Sequence, residues 1–364
     1  GLSQRWKFVQ RTVRNTGPLF EPLEEAIRTK LIPAICGKNV SPIERRMIAL
    51  PYRLGGLGIQ NPTQTANREY LASCRITAGL TNLIYDQDMD ITKLDKEAIK
   101  KEKIELRKEK DEMLKEEVEV ILQQLDDSKK RSLITAQEKG ASSWLAALPI
   151  KRLGYVLNKQ EFRDALCLRY GWRVNETPAF CACGTRNDID HILTCKKGGY
   201  VSMRHNALRD MEAKIMEEVC KDVKTEPLLI PIERDIQGNS AQQARLDISA
   251  RGVWSSNEKT FFDVRVTHPN AVSHRSKSLQ QLYKQNENEK KRLYSDRVIN
   301  CERATFTPLV FTTTGGMGPE CERLNRRLAE LIAAKRREAY SDVIGHIRTR
   351  LRFALLRSTL VALR

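Results

Sequence analysis

Two short segments, RLDISA at 245–250 and FFDVRVT at 261–267, give the clearest strand pattern in the chain. Apolar and polar residues alternate in both, which is the period of a β-strand with one buried face. Leu246 and Ile248 are therefore expected on the same face of the first strand. The polar stretch at 252–259 suits a hairpin turn, so the two strands are predicted to pair antiparallel.

The rest of the chain has mostly helical patterns. The only further strand-like segment is at 306–312, and the chain returns to helix from Glu320 onward. A helix start is predicted at Ser41, where the cap residue is followed by Pro42 and, at the third helical position, by Glu44. The sequence therefore predicts an α+β protein that is mostly helical.

Composition along the chain suggests four regions. Residues 1–86 are predicted to form a compact helical unit, and residues 87–140 a charged linker with one long helix or a helical hairpin. Polarity falls again at 141–205, where amphipathic helices lead into a cluster of cysteine and histidine residues. Residues 206–364 contain the predicted strands, and we expect them to form a separate α/β domain.

The two strands bring a pair of acidic residues together. If the hairpin forms, Asp247 and Asp263 can meet across the ladder, and paired carboxylates bind Mg²⁺ or Mn²⁺ in sites that cleave phosphodiesters. The pattern resembles that of PD-(D/E)xK nucleases, with two departures. Leu246 stands where proline is usual, and Arg265 stands where lysine is usual; arginine can clamp phosphate but is a poor base. The alternative is a surface hairpin whose charges are only solvated.

The second cluster has the residue types of a zinc site. Cys181, Cys183, His191 and Cys195 offer four sulfur or nitrogen ligands within fifteen residues. Structural zinc takes four such ligands in a tetrahedron, and His191 and Cys195 are one helical turn apart. We therefore predict structural zinc, with a chance cluster as the alternative. His205, further along the chain, is a weaker candidate ligand.

Net charge points to a polyanionic partner. The chain carries a formal charge of +17, and lysine and arginine contacts with phosphate supply most non-specific affinity for nucleic acid. A solvated basic surface is the alternative. Nine cysteines without a regular framework favour a reducing compartment. No apolar run is long enough to span a bilayer, so no membrane partner is expected.

Further segments carry a family resemblance that spans nearly the whole chain but is diffuse at 87–140. They resemble the C-terminal part of a non-LTR retrotransposon polyprotein, of the type with a restriction-like endonuclease after its reverse transcriptase. The matching segments are GLSQRW at 1–6, LEEAIR at 23–28, LPYRLGGLGI at 50–59, CKKGG at 195–199 and DVRVTHP at 263–269.

The resemblance implies a role for each region. Residues 1–86 would be the thumb-like end of the polymerase, 141–205 would contain a CCHC zinc motif, and 206–364 would be the endonuclease. The paired aspartates of a polymerase are absent, so this chain is not expected to polymerise. Within the endonuclease, Asp247 and Asp263 would hold the catalytic metal. The displaced lysine of this nuclease type would be Lys290 or Lys291, and Glu217 or Glu218 would be an assisting upstream acid.

Two functions follow from these expectations. The first is a metal-dependent endonuclease that nicks target DNA and so primes reverse transcription. The second is a catalytically inactive zinc module from a decayed element, which still binds nucleic acid. In either case the expected partners are target DNA, element RNA and the polymerase portion of the same polyprotein. The protein would be made in the cytoplasm and act in the nucleus.

Overall fold

A computed structural model describes residues 2–87, 90, 92, 94–175, 177–231, 238–239 and 241–363. The chain divides into two compact units, Gly1–Asp126 and Asp127–Arg364. Most described residues are helical, and they contain one four-stranded sheet. The α+β, mostly helical class predicted from the sequence is therefore confirmed. Among the described helices, none is both long enough and apolar enough for a membrane crossing.

The first unit is entirely helical in its described part. The predicted start at Ser41 is confirmed, because the Ser41 hydroxyl accepts from the Glu44 N–H and the Glu44 carboxylate accepts from the Ser41 N–H. The glycine-rich loop after this helix has a packing role: a Cβ on Gly56 would lie 1.9 Å from the Leu50 carbonyl oxygen. The helices of this unit are α1 (Leu2–Thr12), α2 (Glu21–Ala26), α3 (Ile32–Cys36), α4 (Pro42–Ala49), α5 (Pro62–Tyr85) and α6 (Lys96–Gln124).

Most of the charged segment lies in one long helix, α6. Most of its side chains are exposed, and only Val118 and Ile121 are buried. Ion pairs join it to the rest of the unit: Arg46 on α4 makes a two-pronged contact with Glu117, with both N–O distances 2.8 Å. The helix therefore joins the unit through a narrow buried stripe and through ion pairs along its charged face.

The second unit surrounds the sheet with helices. Its strands lie in the order β1-β2-β3-β4; β1, β2 and β3 are antiparallel neighbours, and β4 is parallel to β3. The predicted hairpin between the second and third strands is thus confirmed, whereas β1 has no counterpart among the sequence predictions. The elements are α7 (Asp127–Ala136), α8 (Ser143–Ala146), α9 (Lys159–Tyr170), α10 (Ile189–Thr194), α11 (Tyr200–Met216), β1 (Lys221–Thr225), β2 (Ile248–Arg251), β3 (Lys259–Thr267), α12 (Leu279–Asn300), β4 (Thr305–Thr312), α13 (Pro319–Arg336) and α14 (Tyr340–Val361).

The two faces of the sheet are packed differently. One face, with Ile248 and Phe262, joins the large core that α11, α13 and α14 cover. The other face, with Phe261, packs in a smaller cluster against the end of α12. Leu246 belongs to this smaller cluster, so the expectation that it shares a face with Ile248 is wrong. The regular alternation fails because β2 begins only at Ile248, and the chain bends at Asp247.

Candidate metal centres

The bend at Asp247 leaves part of β3 without a partner strand. Ile248 pairs with Phe262, and beyond this pair none of the described strands pairs with Val264 on the β2 side. The Asp247 carboxylate takes that place, because its Oδ2 accepts the Val264 N–H at 2.6 Å. Every buried backbone polar group needs a partner, so the departure of β2 explains why this carboxylate lies at the centre of the sheet.

Asp263 lies beside Asp247, as the predicted hairpin requires, and it is nine-tenths buried. Its carboxylate forms an ion pair with Lys290 of α12, whose side chain is itself only 17% exposed. Burial of Asp263 raises its pKa, the Lys290 ammonium opposes this, and the neighbouring Asp247 charge adds to the rise, giving a value of about 6. The carboxylates of Asp247 and Asp263 and the ammonium group of Lys290 therefore lie together in a mostly buried site.

The two acids differ in their electrostatics. Burial of Asp247 acts to raise its pKa, but the hydrogen bond from His205, the charge of that imidazole and the Val264 N–H together lower it below its ordinary value. The pKa of Asp263 is shifted the other way. Pairs of acidic groups whose surroundings separate their pKa values are typical of functional sites.

The other predicted site residues lie close by with partners of their own. Arg265 donates from Nη1 to Oε2 of Glu289 on α12 at 2.7 Å. Lys291 pairs with Glu320 at the start of α13 rather than with the acidic pair. Of the two candidate lysines, Lys290 is therefore the one that contacts the acids. The ammonium group at the acidic pair therefore comes from Lys290 on α12, the helix that connects β3 to β4, and not from a lysine on β3 itself.

The assisting acids suggested from the sequence are located elsewhere. Glu218, just beyond α11, forms ion pairs with Arg336 of α13 and Arg350 of α14. Glu217 is exposed at the same end of the helix. The side chain of α11 that contacts the acidic pair is His205, near the other end. Its Nε2 lies 3.1 Å from Asp247 Oδ2 and 3.1 Å from the Val264 carbonyl oxygen.

The four predicted zinc ligands converge in the second unit. Their ligand atoms all lie within 4.8 Å of one another, so Cys181, Cys183, His191 and Cys195 could hold a metal ion. Cys181 Sγ and Cys195 Sγ are 3.8 Å apart, and Cys183 Sγ is 3.2 Å from His191 Nε2. Tetrahedral zinc, with bonds of about 2.3 Å to sulfur, separates two sulfurs by about 3.8 Å. The geometry is thus compatible with zinc, and His205 is not part of this group.

Local structure explains why these ligands meet. Cys181 and Cys183 lie on a tight turn that closes with the Gly184 N–H on the Cys181 carbonyl at 2.8 Å, and Gly184 has a left-handed φ of 86°. Hydrogen bonds from Thr185 lower the pKa of the Cys183 thiol to about 6, which favours the thiolate that metals bind. The helix α10 then holds His191 and Cys195 one turn apart, with the Cys195 N–H on the His191 carbonyl at 2.7 Å.

A chain of hydrogen bonds connects the cysteine cluster to the end of the sheet. Asp190, next to His191, accepts from Nε2 of His268 at 2.9 Å, and Nδ1 of His268 lies 2.8 Å from the Thr313 hydroxyl. Arg275 donates to the second oxygen of Asp190 at 3.0 Å. Because His268 follows β3 directly, the segment that contains Asp263 also holds the cysteine cluster against the sheet.

Comparison with known proteins adds no relative. No protein-family model matches the chain, and no curated protein is detectably similar to it. The assignment of function therefore depends on the two candidate centres and on the resemblance of the sequence segments described above.

Proposed function

We propose that this chain is the metal-dependent DNA endonuclease and nucleic-acid-binding segment of a non-LTR retrotransposon protein, and that it nicks target DNA to prime reverse transcription. The observation that carries the proposal is the meeting of Asp247, Asp263 and Lys290 at the point where β2 leaves β3. Asp247 comes from the bend before β2, Asp263 from β3 and Lys290 from α12. A solvated surface hairpin, the alternative reading of the acidic residues, gives no reason for Asp263 to be buried against a lysine.

Each residue has a defined task in this proposal. Asp247, kept ionised by its hydrogen bonds, and Asp263 would hold Mg²⁺ or Mn²⁺. When bound, the cation would supply Lewis-acid chemistry that activates water and neutralises charge on the phosphate. Lys290 Nζ holds the Asp263 carboxylate in place and can donate to a phosphate oxygen. Arg265, engaged with Glu289, would contribute positive charge rather than act as a base.

The cysteine cluster would serve binding rather than chemistry. Four protein ligands leave no open position on zinc, which is the arrangement of a structural site. Lys196 and Lys197 follow the last ligand directly, and the charge of +17 on the whole chain favours contact with phosphates. Target DNA and element RNA are the proposed ligands, and the polymerase portion of the same polyprotein is the proposed partner.

Nicking of supercoiled plasmid in the presence of Mg²⁺ or Mn²⁺ tests the proposal. The wild-type protein is expected to nick, and Asp263→Asn, which keeps the shape of the side chain but removes its charge, is expected to lose at least 100-fold in rate. Asp222→Asn, an exposed change on the edge strand β1 of the same sheet, is the matched control and should nick like the wild type. Equal nicking by Asp263→Asn and wild type would disprove the site assignment.

The same experiment separates the two functions predicted from the sequence. If neither cation supports nicking while DNA or RNA still binds in a salt-sensitive manner, the inactive binding module is the correct reading. A slope of binding affinity against salt concentration then reports how many phosphates the chain contacts.

A further inference from the structure

A cavity of about 470 Å³ in the second unit is separate from both candidate metal centres. Its walls come from α7, α9, α10 and α14 and from the residues that follow β3 and β4. None of the four cysteine-cluster ligands lines it, and neither do Asp247, Asp263 or Lys290. Its volume lies within the range of about 300–1,000 Å³ that is usual for pockets that hold small molecules.

Arg352 of α14 lines this cavity and is only 6% exposed. Its Nε donates to the Ala141 carbonyl oxygen at 3.1 Å. Among the described residues, no carboxylate forms an ion pair with Arg352, and no group accepts a hydrogen bond from its Nη nitrogens. Buried charges are normally paired, because removing them from water is costly. The cavity beside this guanidinium therefore has room for the anionic partner that the described residues do not supply.

A second arginine lines the same cavity. Arg169 of α9 is also only 6% exposed, and its Nη2 donates to the Ser142 hydroxyl at 2.9 Å. Because Ala141 and Ser142 are consecutive, one short segment orients both guanidinium groups. Burial and, to a lesser extent, the like charge of Arg169 lower the pKa of Arg352 to about 9. Two positive charges are therefore held close together at the wall of one cavity.

The two acids on the cavity wall are engaged elsewhere. Asp188 accepts a backbone N–H in the first turn of α10 at 2.7 Å, and Asp190 accepts from His268 Nε2 at 2.9 Å. Arg173 and Arg186 add two exposed guanidinium groups to the same wall. The charged groups that line the cavity are thus mostly positive, which favours an anionic ligand.

Charge and surface together indicate the class of ligand. A phosphomonoester carries a charge of about −1.5 to −2 near neutral pH and three acceptor oxygens, whereas a phosphodiester carries a single charge. Guanidinium groups bind phosphate oxygens through paired hydrogen bonds, so two neighbouring arginines suit the monoester better. Trp172, Val174 and Leu193 give the same cavity apolar wall that suits a sugar or a base. The cavity therefore has the volume, charge and apolar surface to hold one nucleotide.

We propose that this cavity binds the terminal phosphate of a nucleotide, with the Nη nitrogens of Arg352 and the guanidinium group of Arg169 as the phosphate-binding groups. The nucleotide is either free or the last residue of a nucleic acid strand, since both present the same phosphomonoester. This site goes beyond the proposed endonuclease and does not depend on it, because no residue of the acidic site takes part.

Calorimetric titration of the full chain, without added Mg²⁺ or Mn²⁺, tests the site. The probes are the four deoxynucleoside 5′-monophosphates, the matching nucleosides, and one single-stranded oligonucleotide with a phosphate at its 5′ end, at its 3′ end or at neither end. At least one phosphorylated probe should bind about tenfold or more tightly than its unphosphorylated counterpart, because the charged phosphate accepts the main hydrogen bonds.

A pair of variants of α14 locates the bound phosphate. Arg352→Met, which removes the charge but keeps an unbranched side chain, should raise the Kd of that probe by about tenfold or more. Arg348→Met removes the same charge from the same helix at a position that does not line the cavity, so it should bind like the wild type.

Hydrogen exchange of the wild type supplies a readout that needs no variant. Because α7 and α10 line the cavity, the phosphorylated probe should slow amide exchange in both helices, and the unphosphorylated probe should not. This measurement keeps the test decisive if Arg352→Met does not fold.

Preference for a free monophosphate would identify a nucleotide site, and preference for a phosphorylated oligonucleotide would identify a strand-end site. Either result supports the proposal when Arg352→Met weakens the binding. Equal Kd values for Arg352→Met and wild type would assign the phosphate to the basic surface and overturn the proposal. So would equal binding of phosphorylated and unphosphorylated probes, no binding of any probe, or binding that leaves exchange in α7 and α10 unchanged.

Discussion

Glu212 offers a test of the packing around α11 that does not depend on any function. Its side chain is fully buried in the large core; Oε1 accepts from Asn325 Nδ2 at 3.2 Å, and Oε2 has no partner among the described residues. Burial raises its pKa from 4.5 to about 7, against the Asn325 hydrogen bond and the charge of Arg350. The folded protein therefore binds this proton more tightly than the unfolded chain does.

The sign and size of the effect follow from this shift. A raised pKa in the folded state contributes stability that is fully present below pH 4.5 and is lost as pH rises to about 7. At about 1.4 kcal/mol for each pH unit, the loss is about 3 kcal/mol. Glutamine cannot ionise, so Glu212→Gln should gain about 3 kcal/mol in unfolding free energy relative to the wild type between pH 4.5 and 7.5.

Urea unfolding at four pH values across this range, followed by tryptophan fluorescence, measures the difference. Trp254 packs against the same core and reports on it. Glu217→Gln, at the exposed end of the same helix, is the control and should track the wild type at every pH. If the difference between Glu212→Gln and wild type stayed constant with pH, the argument that burial controls this carboxyl would be wrong.

Three further predictions concern stability. Removal of the proposed zinc by a chelator, or Cys183→Ser, should free the turn and α10 for cleavage by protease at low concentration, since structural zinc would supply folding free energy directly. Limited proteolysis with mass spectrometry checks this. Arg45→Met should lower the unfolding free energy of the first unit by about 3–5 kcal/mol in urea, because Arg45 donates two 2.7 Å hydrogen bonds to the buried Glu24 carboxylate. The double replacement Glu24→Leu with Arg45→Met should recover most of this loss. Ser278→Ala should cost about 1 kcal/mol, seen as a lower Tm, because Ser278 closes a capping box on α12.

The sequence predicted those parts of the fold whose signals are local. The hairpin, the cap at Ser41 and the convergence of the cysteine cluster each depend on spacings of a few residues. Strand β1 was not predicted, because Val223 is the only apolar residue in KDVKT at 221–225 and the segment shows no alternation of apolar and polar residues. It forms an edge strand, with its pairing to β2 interrupted between Lys221 and Lys224. Such a strand is stabilised by its hydrogen bonds with the neighbouring strand β2 rather than by the β-propensity of its own residues.

The acidic site shows the same limit. The pairing of Asp247 with Asp263 followed from the alternation pattern, but neither His205 nor Lys290 could be located by spacing. His205 precedes the acidic pair in sequence, on α11, and Lys290 follows it, on α12. Only tertiary packing places both side chains at the acidic pair. The bend at Asp247 also broke the alternation that had placed Leu246. Irregular backbone of this kind is common where a carboxylate is directed at a site.

The parallel pairing of β3 with β4 has a consequence for how the protein is made. On the ribosome, the hairpin of β2 and β3 emerges before β4, so the outer edge of β3 is at first unpaired and the core around Phe262 and Val264 still lacks α13 and α14. That edge is filled only when β4 follows α12, and α14 closes the core over α11 later still. Non-local pairing of this kind forms slowly and leaves strand edges open to wrong partners. The outer edge of β3 therefore stays exposed to wrong pairing until residue 312 has left the exit tunnel.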